Sequence, residues 1–218
     1  MNADTQFVMT ETTNTGKRGF PIWKRFLDVF VSSVGLLLLS PMAALVAILI
    51  KFDSRGPLLF RQERVGQGLR TFCIYKFRSM VVDAPLKGGP LTAAGDPRLT
   101  RVGRILRKTK IDELPQLINV LRGEMTLVGP RPEVPRYVAL FRNDYEEILR
   151  VRPGITDLAS LKYRDESSVL SRAADPEQEY LTRVLPDKIA LAKEYVRRSS
   201  LTFDISLILK TVARIIVW

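Results

Sequence analysis

Val29–Ile50, VFVSSVGLLLLSPMAALVAILI, runs for 22 residues without a charged side chain and carries a Ser40-Pro41 pair near its middle. As one straight helix it would reach ~33 Å, about the thickness of a bilayer's hydrocarbon core. Pro41 removes a backbone donor and crowds the preceding turn, so the run predicts a kink near residues 37–41. The halves Val29–Ser40 and Met42–Ile50 would then be ~18 Å and ~14 Å long, each about one leaflet. Two topologies follow. In one, Pro41 is a tolerated kink in a spanning helix and Met1–Phe20 lies across the membrane from the rest. In the other, the chain dips in, breaks at Ser40-Pro41 and returns to the same side. Lys17, Arg18, Lys24 and Arg25 precede the run and Lys51, Arg55, Arg61 and Arg64 follow it. Basic flanks favour the cytoplasm, and here they balance, so a spanning helix strands one basic flank outside. A plain span is nevertheless the commoner outcome for such runs, and the residues alone leave both open. The stretch is too long, and lacks the small-residue cleavage pattern, for a removable signal peptide.

The 218 residues suit one main domain with an anchor and a tail. Thirty-four Lys and Arg against 23 Asp and Glu give a formal charge of +11, which suits lipid headgroups, nucleic acid or a phosphorylated substrate. Cys73 is the single cysteine and there is no histidine. That excludes an intramolecular disulfide, histidine general acid–base chemistry, Ser-His-Asp triads and His- or Cys-cluster metal sites. Neither GxxxxGK[ST] nor GxGxxG is present. Any enzymatic chemistry is left to carboxylates, Arg and Lys, with or without a hard, oxygen-bound metal.

Met1–Gly19 is polar, rich in Thr and Asn, and reads as a disordered tail. Leu58–Val65 and Thr71–Phe77 predict a β-hairpin around Gly66-Gln67-Gly68. Ala84–Pro97 collects loop signals. Helices are predicted at Thr100–Lys108, at Asp112–Arg122 closed by Gly123, at Glu133–Val151, at Pro186–Arg198 and at Thr202–Trp218. The last is apolar with Lys210 and Arg214 one turn apart, suited to a core or to lying on lipid. The fold class is helix-rich α+β.

Asp112-Glu113, followed by Pro115, is the sharpest local signal. Pro115 suits a first helical turn, which sets both carboxylates at a helix N-terminus. The ordinary reading is a cap, with Asp112 as N-cap. The chemical reading draws on Arg98, Arg101, Arg104, Arg107, Lys108 and Lys110 just upstream, with 101, 104 and 108 on one helical face. Six bases leading into two acids describe a phosphate and metal site. Pro130 and Pro132 stiffen the backbone around Arg131, either as a plain turn or as an oxyanion grip. Lys76 and Arg78 fall on one side of a pleat and form a candidate anion clamp. Arg152 flanks the Pro153-Gly154 turn.

A Ser-Pro anchor, then Tyr75-Lys-Phe-Arg-Ser-Met80, Asp96-Pro-Arg-Leu-Thr-Arg-Val-Gly-Arg104, Ile111-Asp-Glu-Leu-Pro-Gln-Leu-Ile-Asn-Val-Leu-Arg-Gly-Glu-Met125, Val128-Gly-Pro-Arg-Pro132 and Arg152-Pro-Gly-Ile-Thr156 occur in that order. Together they resemble the bacterial sugar transferase family, the monotopic phosphoglycosyl transferases, from about Lys24 to the C-terminus and in its small form. The resemblance implies a disordered tail over 1–20, a re-entrant membrane anchor over 21–53 broken at Ser40-Pro41, and a cytoplasmic catalytic domain over 54–218 on the bacterial inner membrane. It implies transfer of a sugar-1-phosphate from a UDP-sugar to a polyprenyl phosphate, release of UMP, Mg²⁺ held by Asp112 and Glu113, and a covalent phosphosugar on Asp112. Lys76, Arg107, Arg131 and Arg152 become the expected phosphate and substrate contacts, with anionic membrane lipid beneath. A carboxylate is a competent nucleophile at neutral pH without a histidine. Glu113, roughly 100° around a helix from Asp112, is better placed to hold the metal or orient the nucleophile.

Many relatives read Pro-Gly-Ile-Thr-Gly-x-Ala-Gln, where this chain has Asp157 and Ser160 at the Gly and Gln positions, and Lys110 stands where a Ser is common. A non-catalytic basic membrane-surface module would also explain the apolar run and the charge, but would not need Asp112-Glu113. A nucleic-acid binder fits the charge alone: the apolar run and the lack of aromatic–basic interleaving argue against it.

Overall fold

The computed structural model describes residues 22–89 and 91–216. The polar tail expected over 1–20 lies outside the described residues. Helix α1 (Ile22–Asp53) runs 32 residues and takes Pro41 inside it, so helical structure continues on both sides of the Ser40-Pro41 pair. The reason is local. Pro41 has no N–H to give the carbonyl of Leu37, four residues back, and Ser40 Oγ donates to that same oxygen at 2.8 Å. The serine makes good the bond that the proline removes.

Both ends of α1 pack on the rest of the chain, and between them one face stays exposed. Lys24, Asp28 and Ser32, four residues apart, are buried at the first end, and Val46 and Ile50 at the second. Between them Leu37 and Leu38 are 73% and 71% exposed. Of the described residues, this is the one helix long and apolar enough to cross a membrane.

A short irregular link leads to an antiparallel hairpin, β1 (Leu59–Val65) and β2 (Thr71–Phe77), in register from Leu59 opposite Phe77 to Val65 opposite Thr71. This matches the predicted hairpin to within a residue. Helix α2 (Arg101–Thr109) and a 3₁₀ turn (Ile111–Glu113) precede α3 (Gln116–Arg122), which Gly123 ends at φ +80°. Strand β3 (Thr126–Val128) follows. The single helix predicted over Glu133–Val151 is two: α4 (Pro135–Leu140) and α5 (Arg142–Ile148), bent at Phe141. The apolar stripe survives the bend, since Val138, Tyr145, Ile148 and Leu149 are all buried in the main core. Glu133 stays outside the helix and pairs with Arg64 at 2.9 Å. Strand β4 (Gly154–Thr156) lies parallel to β3, a pairing of two three-residue strands too short to leave a periodic signal. Helices α6 (Leu158–Lys162), α7 (Glu166–Leu170) and α8 (Pro176–Glu179) then lead to α9 (Leu185–Arg198) and α10 (Leu201–Ile216). The main core joins Val65 of the hairpin to α4, α5 and α9.

The first turns of α1 are sewn into this body. Lys24 Nζ donates to Asp204 Oδ2 (2.6 Å), Tyr195 Oη (2.8 Å) and the Val128 carbonyl (2.8 Å). Arg25 gives two hydrogen bonds, 2.6 and 2.7 Å long, to the carbonyls of Val120 and Leu121 at the C-terminal end of α3. Asp28 Oδ1 accepts from Leu127 N and Thr126 Oγ1, both at 3.0 Å. At the other end Asp53 Oδ2 accepts from Val102 N at 3.0 Å.

Asp204 and Lys24 are nearly buried, so removing one strands the other's charge. Lys24→Met should cost about 3–5 kcal/mol in denaturant unfolding of the detergent-purified chain, and Lys24→Met/Asp204→Leu should recover most of it. An equal loss in the double variant would show that packing, not the charge pair, matters there.

Candidate active site

Helix α2 is set in place by its N-terminus, where Thr100 Oγ1 accepts from Gly103 N at 3.0 Å. Gly103 then rides directly on the backbone of Ser79; a Cβ there would lie 1.9 Å from the Ser79 carbonyl oxygen. Four residues on, Arg107 Nε donates to Ser79 Oγ at 3.0 Å. The helix stops at Lys110, which takes the left-handed conformation at φ +61° and swings the chain into the 3₁₀ turn that carries the acidic pair. Asp112 is therefore not a helix cap: no side-chain cap bond forms, the residue is 4% exposed, and its Oδ1 has no hydrogen-bond partner among the described residues.

Glu113 is in the opposite condition. Lys76 Nζ donates to its Oε1 at 3.0 Å, Arg131 Nη1 donates to Oε2 at 3.1 Å, and Arg131 Nη2 donates to Oε1. This two-pronged grip is the fork geometry in which arginine holds carboxylate best. Burial works against the Glu113 charge, but Arg131 and Lys76 together outweigh it and hold its pKa well below the usual glutamate value. Asp112 goes the other way. Burial, then the neighbouring Glu113 charge, raise its pKa against the pull of Lys76 and Arg107. The environment thus divides the pair into an open member and a clamped one. Burial lowers the pKa of Lys76 and of Arg107, and the acidic pair offsets part of that shift in each.

The structure thus gathers Asp112, Glu113, Lys76, Arg107 and Arg131. It places the other two expected contacts elsewhere. Arg78, past the end of β2, donates to the carbonyl and Oγ of Ser54 at 2.7 and 3.0 Å, so it secures the segment after α1 and forms no clamp with Lys76. Arg152 lies beside Arg25 and Asp28, near Ile22, Phe26 and Val29 of α1. Of the six upstream bases, Arg101, Arg104 and Lys108 face outward. Arg98 organises the preceding loop, gripping Asp96 at 2.7–3.1 Å and the carbonyls of Gly89 and Leu91 at 2.9 and 2.8 Å. Ser40 and Pro41 sit on the exposed face of α1.

Two residues went unread in the sequence. Asn119 ties α3 to β2, accepting from Tyr75 N at 3.1 Å and donating to Cys73 O at 2.7 Å. Gln116, one turn past Asp112, is fully buried, and neither amide atom is hydrogen-bonded among the described residues. Both fall in the motif that carries the family resemblance, but nothing in it gave either a role of its own.

Among the described residues no group of three or more His, Cys, Asp or Glu side chains gathers as a metal cage. The site still fits Mg²⁺, which needs only one or two carboxylates when substrate phosphates and waters complete its shell. The open Oδ1 of Asp112 is a donor of the right kind.

The site is thus a buried carboxylate with one open oxygen, set among cations. The chain belongs to the bacterial sugar transferase family, whose profile matches residues 20–217. It is 40% identical over 198 residues to the UDP-N-acetylgalactosamine-undecaprenyl-phosphate N-acetylgalactosaminephosphotransferase of Aeromonas hydrophila, covering 88% of this chain and 43% of that protein. To the undecaprenyl-phosphate glucose phosphotransferase of Komagataeibacter xylinus it is 44% identical, covering 88% and 35% respectively. It therefore spans less than half the length of these two relatives. The exopolysaccharide production protein ExoY of Sinorhizobium fredii is 35% identical, with 97% of this chain and 93% of that protein covered.

The unequal pair separates stability from chemistry. Asp112→Asn removes a desolvated charge and should keep or raise the melting temperature. Glu113→Gln strands Arg131 and Lys76 and should cost about 3–5 kcal/mol in the same melts. Equal melting of both variants would contradict this division.

Proposed function

We propose that this chain transfers a sugar-1-phosphate from a UDP-sugar to a polyprenyl phosphate such as undecaprenyl phosphate, releasing UMP, as a first membrane step in building a surface polysaccharide or glycoconjugate. The open Oδ1 of buried Asp112, framed by Glu113, Lys76, Arg107 and Arg131, carries this reading. The names of the relatives support its substrates.

Asp112 Oδ1 attacks the β-phosphorus of the UDP-sugar. A new P–O bond forms, the bond to the bridging oxygen breaks, and UMP leaves with that oxygen and its electron pair. The acyl phosphate on Asp112 keeps enough transfer potential for the second step. An oxygen of the lipid phosphate attacks the same phosphorus, the carboxylate departs, and a sugar diphospholipid results. Lys76 and Arg107 stabilise negative charge on the phosphoryl oxygens. Arg131 and Lys76 hold Glu113 still beside the nucleophile. Mg²⁺, held by Asp112, Glu113 and the nucleotide's phosphate oxygens, would neutralise charge developing on the departing UMP.

The membrane placement follows the packing of α1. Its two ends bind one folded body, through Lys24 and Asp204 at the start and Asp53 and Val102 at the finish. This supports a helix that enters the cytoplasmic leaflet with its exposed side and leaves both ends on the cytoplasmic face of the inner membrane. The outward bases of α2 and the exposed Leu201, Ile205, Leu209 and Val212 of α10 suit contact with anionic lipid and the interface.

Detergent-purified protein with Mg²⁺, undecaprenyl phosphate and a panel of UDP-sugars should release UMP with at least one donor. Asp112→Asn should lower the rate by about 1,000-fold or more. Release that survives in the variant would remove the covalent route, and silence with every donor would defeat the reading. A tag at residue 1 should be reached by protease only after the inner membrane is opened; cleavage from the outside would defeat the re-entrant topology.

A further inference from the structure

Arg131 stands between Pro130 and Pro132, and proline carries no amide hydrogen. The Arg131 N–H is therefore the one backbone donor between Gly129 and Glu133, and Asp157 Oδ2 accepts it at 3.0 Å. The second oxygen, Oδ1, accepts from Ser160 N at 2.7 Å and caps α6. Asp157 is 1% exposed and leaves β4 directly. Its backbone approaches the Pro-Arg-Pro segment because β3 and β4 pair there, with Gly154 N donating to Pro130 O at 2.9 Å and Gly129 N to Thr156 O at 3.0 Å. Glycines 129 and 154 permit the approach: a Cβ on Gly154 would lie 2.1 Å from Gly129 N.

From this anchored backbone the Arg131 side chain reaches Glu113, with Nη1 also 3.4 Å from Ile155 O. A cavity of about 20 Å³, room for one water, adjoins Arg131, Glu133, Tyr145, Asp157 and Lys188. Packing does not fill the space beside the arginine, so hydrogen bonds decide where it sits. We infer that Asp157 is a positioning residue: it pins the Arg131 backbone between β4 and α6 so that the guanidinium fork meets Glu113 squarely and holds it beside Asp112. The kinetic part of the test rests on the transfer activity proposed above; the structural part does not.

Asp157→Asn is the informative change. Both partners of the carboxylate are N–H donors, so an amide leaves one N–H facing another N–H. Phenylglyoxal labelling of the full-length, detergent-purified chain, followed peptide by peptide by mass spectrometry, reads how firmly Arg131 is held. Labelling of Arg131 should quicken about fivefold or more in Asp157→Asn and by less in Asp157→Ser, which keeps one acceptor. Lys162→Gly, which loosens the exposed far end of α6 and spares Asp157, should leave Arg131 labelling unchanged. In UMP release, Asp157→Asn should lower kcat about tenfold with the UDP-sugar KM within about twofold, and Lys162→Gly should change neither. Unchanged Arg131 labelling in Asp157→Asn, or an equal rise in Lys162→Gly, would overturn the inference. A wild-type chain that releases no UMP would instead defeat the proposed function, and the labelling would still decide the role of Asp157.

Discussion

The ammonium of Lys24, taken out of water in the first turn of α1, is satisfied by Asp204, Tyr195 and the Val128 carbonyl, which belong to α10, α9 and β3. A charge with that desolvation cost has one place to go, so it acts as a geometric lock more than as net stabilisation. Once Lys24 is seated, Arg25 falls against the end of α3 and Asp28 against the start of β3. The helix that carries the apolar run is thereby held at a set angle to the helix that follows the acidic pair. The position of the site relative to the apolar run is set through this contact.

The acidic pair itself is built against stability. Glu113 is overcommitted, with two cations on its two oxygens, while Asp112 keeps an oxygen bare inside a buried pocket. A structure optimised for folding alone would hydrogen-bond that atom or expose it. Of the cations that ease its ionisation, Lys76 is held by the neighbouring Glu113 and Arg107 by Ser79. The same economy appears at Pro41, where one serine hydroxyl covers the carbonyl that proline abandons. The helix then passes Pro41 without leaving the Leu37 carbonyl unpaired.

The relation between sequence and structure is uneven in an instructive way. The hairpin, the C-terminal helix and the reach of the apolar run were legible because each is a local pattern: alternation, period or charge exclusion. So was the acidic pair, whose meaning came from cations close by in sequence. Arg98, Arg101, Arg104 and Lys108 were drawn into that reading by the same proximity, yet only Arg107 among the α2 bases turns inward, since Gly103 and Leu106 decide which side of α2 is buried. Arg78 and Arg152 look like site residues from their motifs and sit by Ser54 and Arg25 instead.

By itself, the sequence determined the chemistry available: no histidine, one cysteine, an Asp-Glu pair, a Pro-stiffened arginine and a charge-free run of 22 residues. Only the tertiary structure decided which carboxylate is clamped and which is open, since Lys76, Arg131 and Asp157 arrive from 37, 18 and 26 positions away from the groups they bind. It also decided that both ends of α1 meet the same body. The physical reason is common to both. Residue type sets what a side chain can do, but burial and partner choice are set by which backbones pack together, and β3 beside β4 or α1 against α3 leaves no periodic trace in either strand or helix alone.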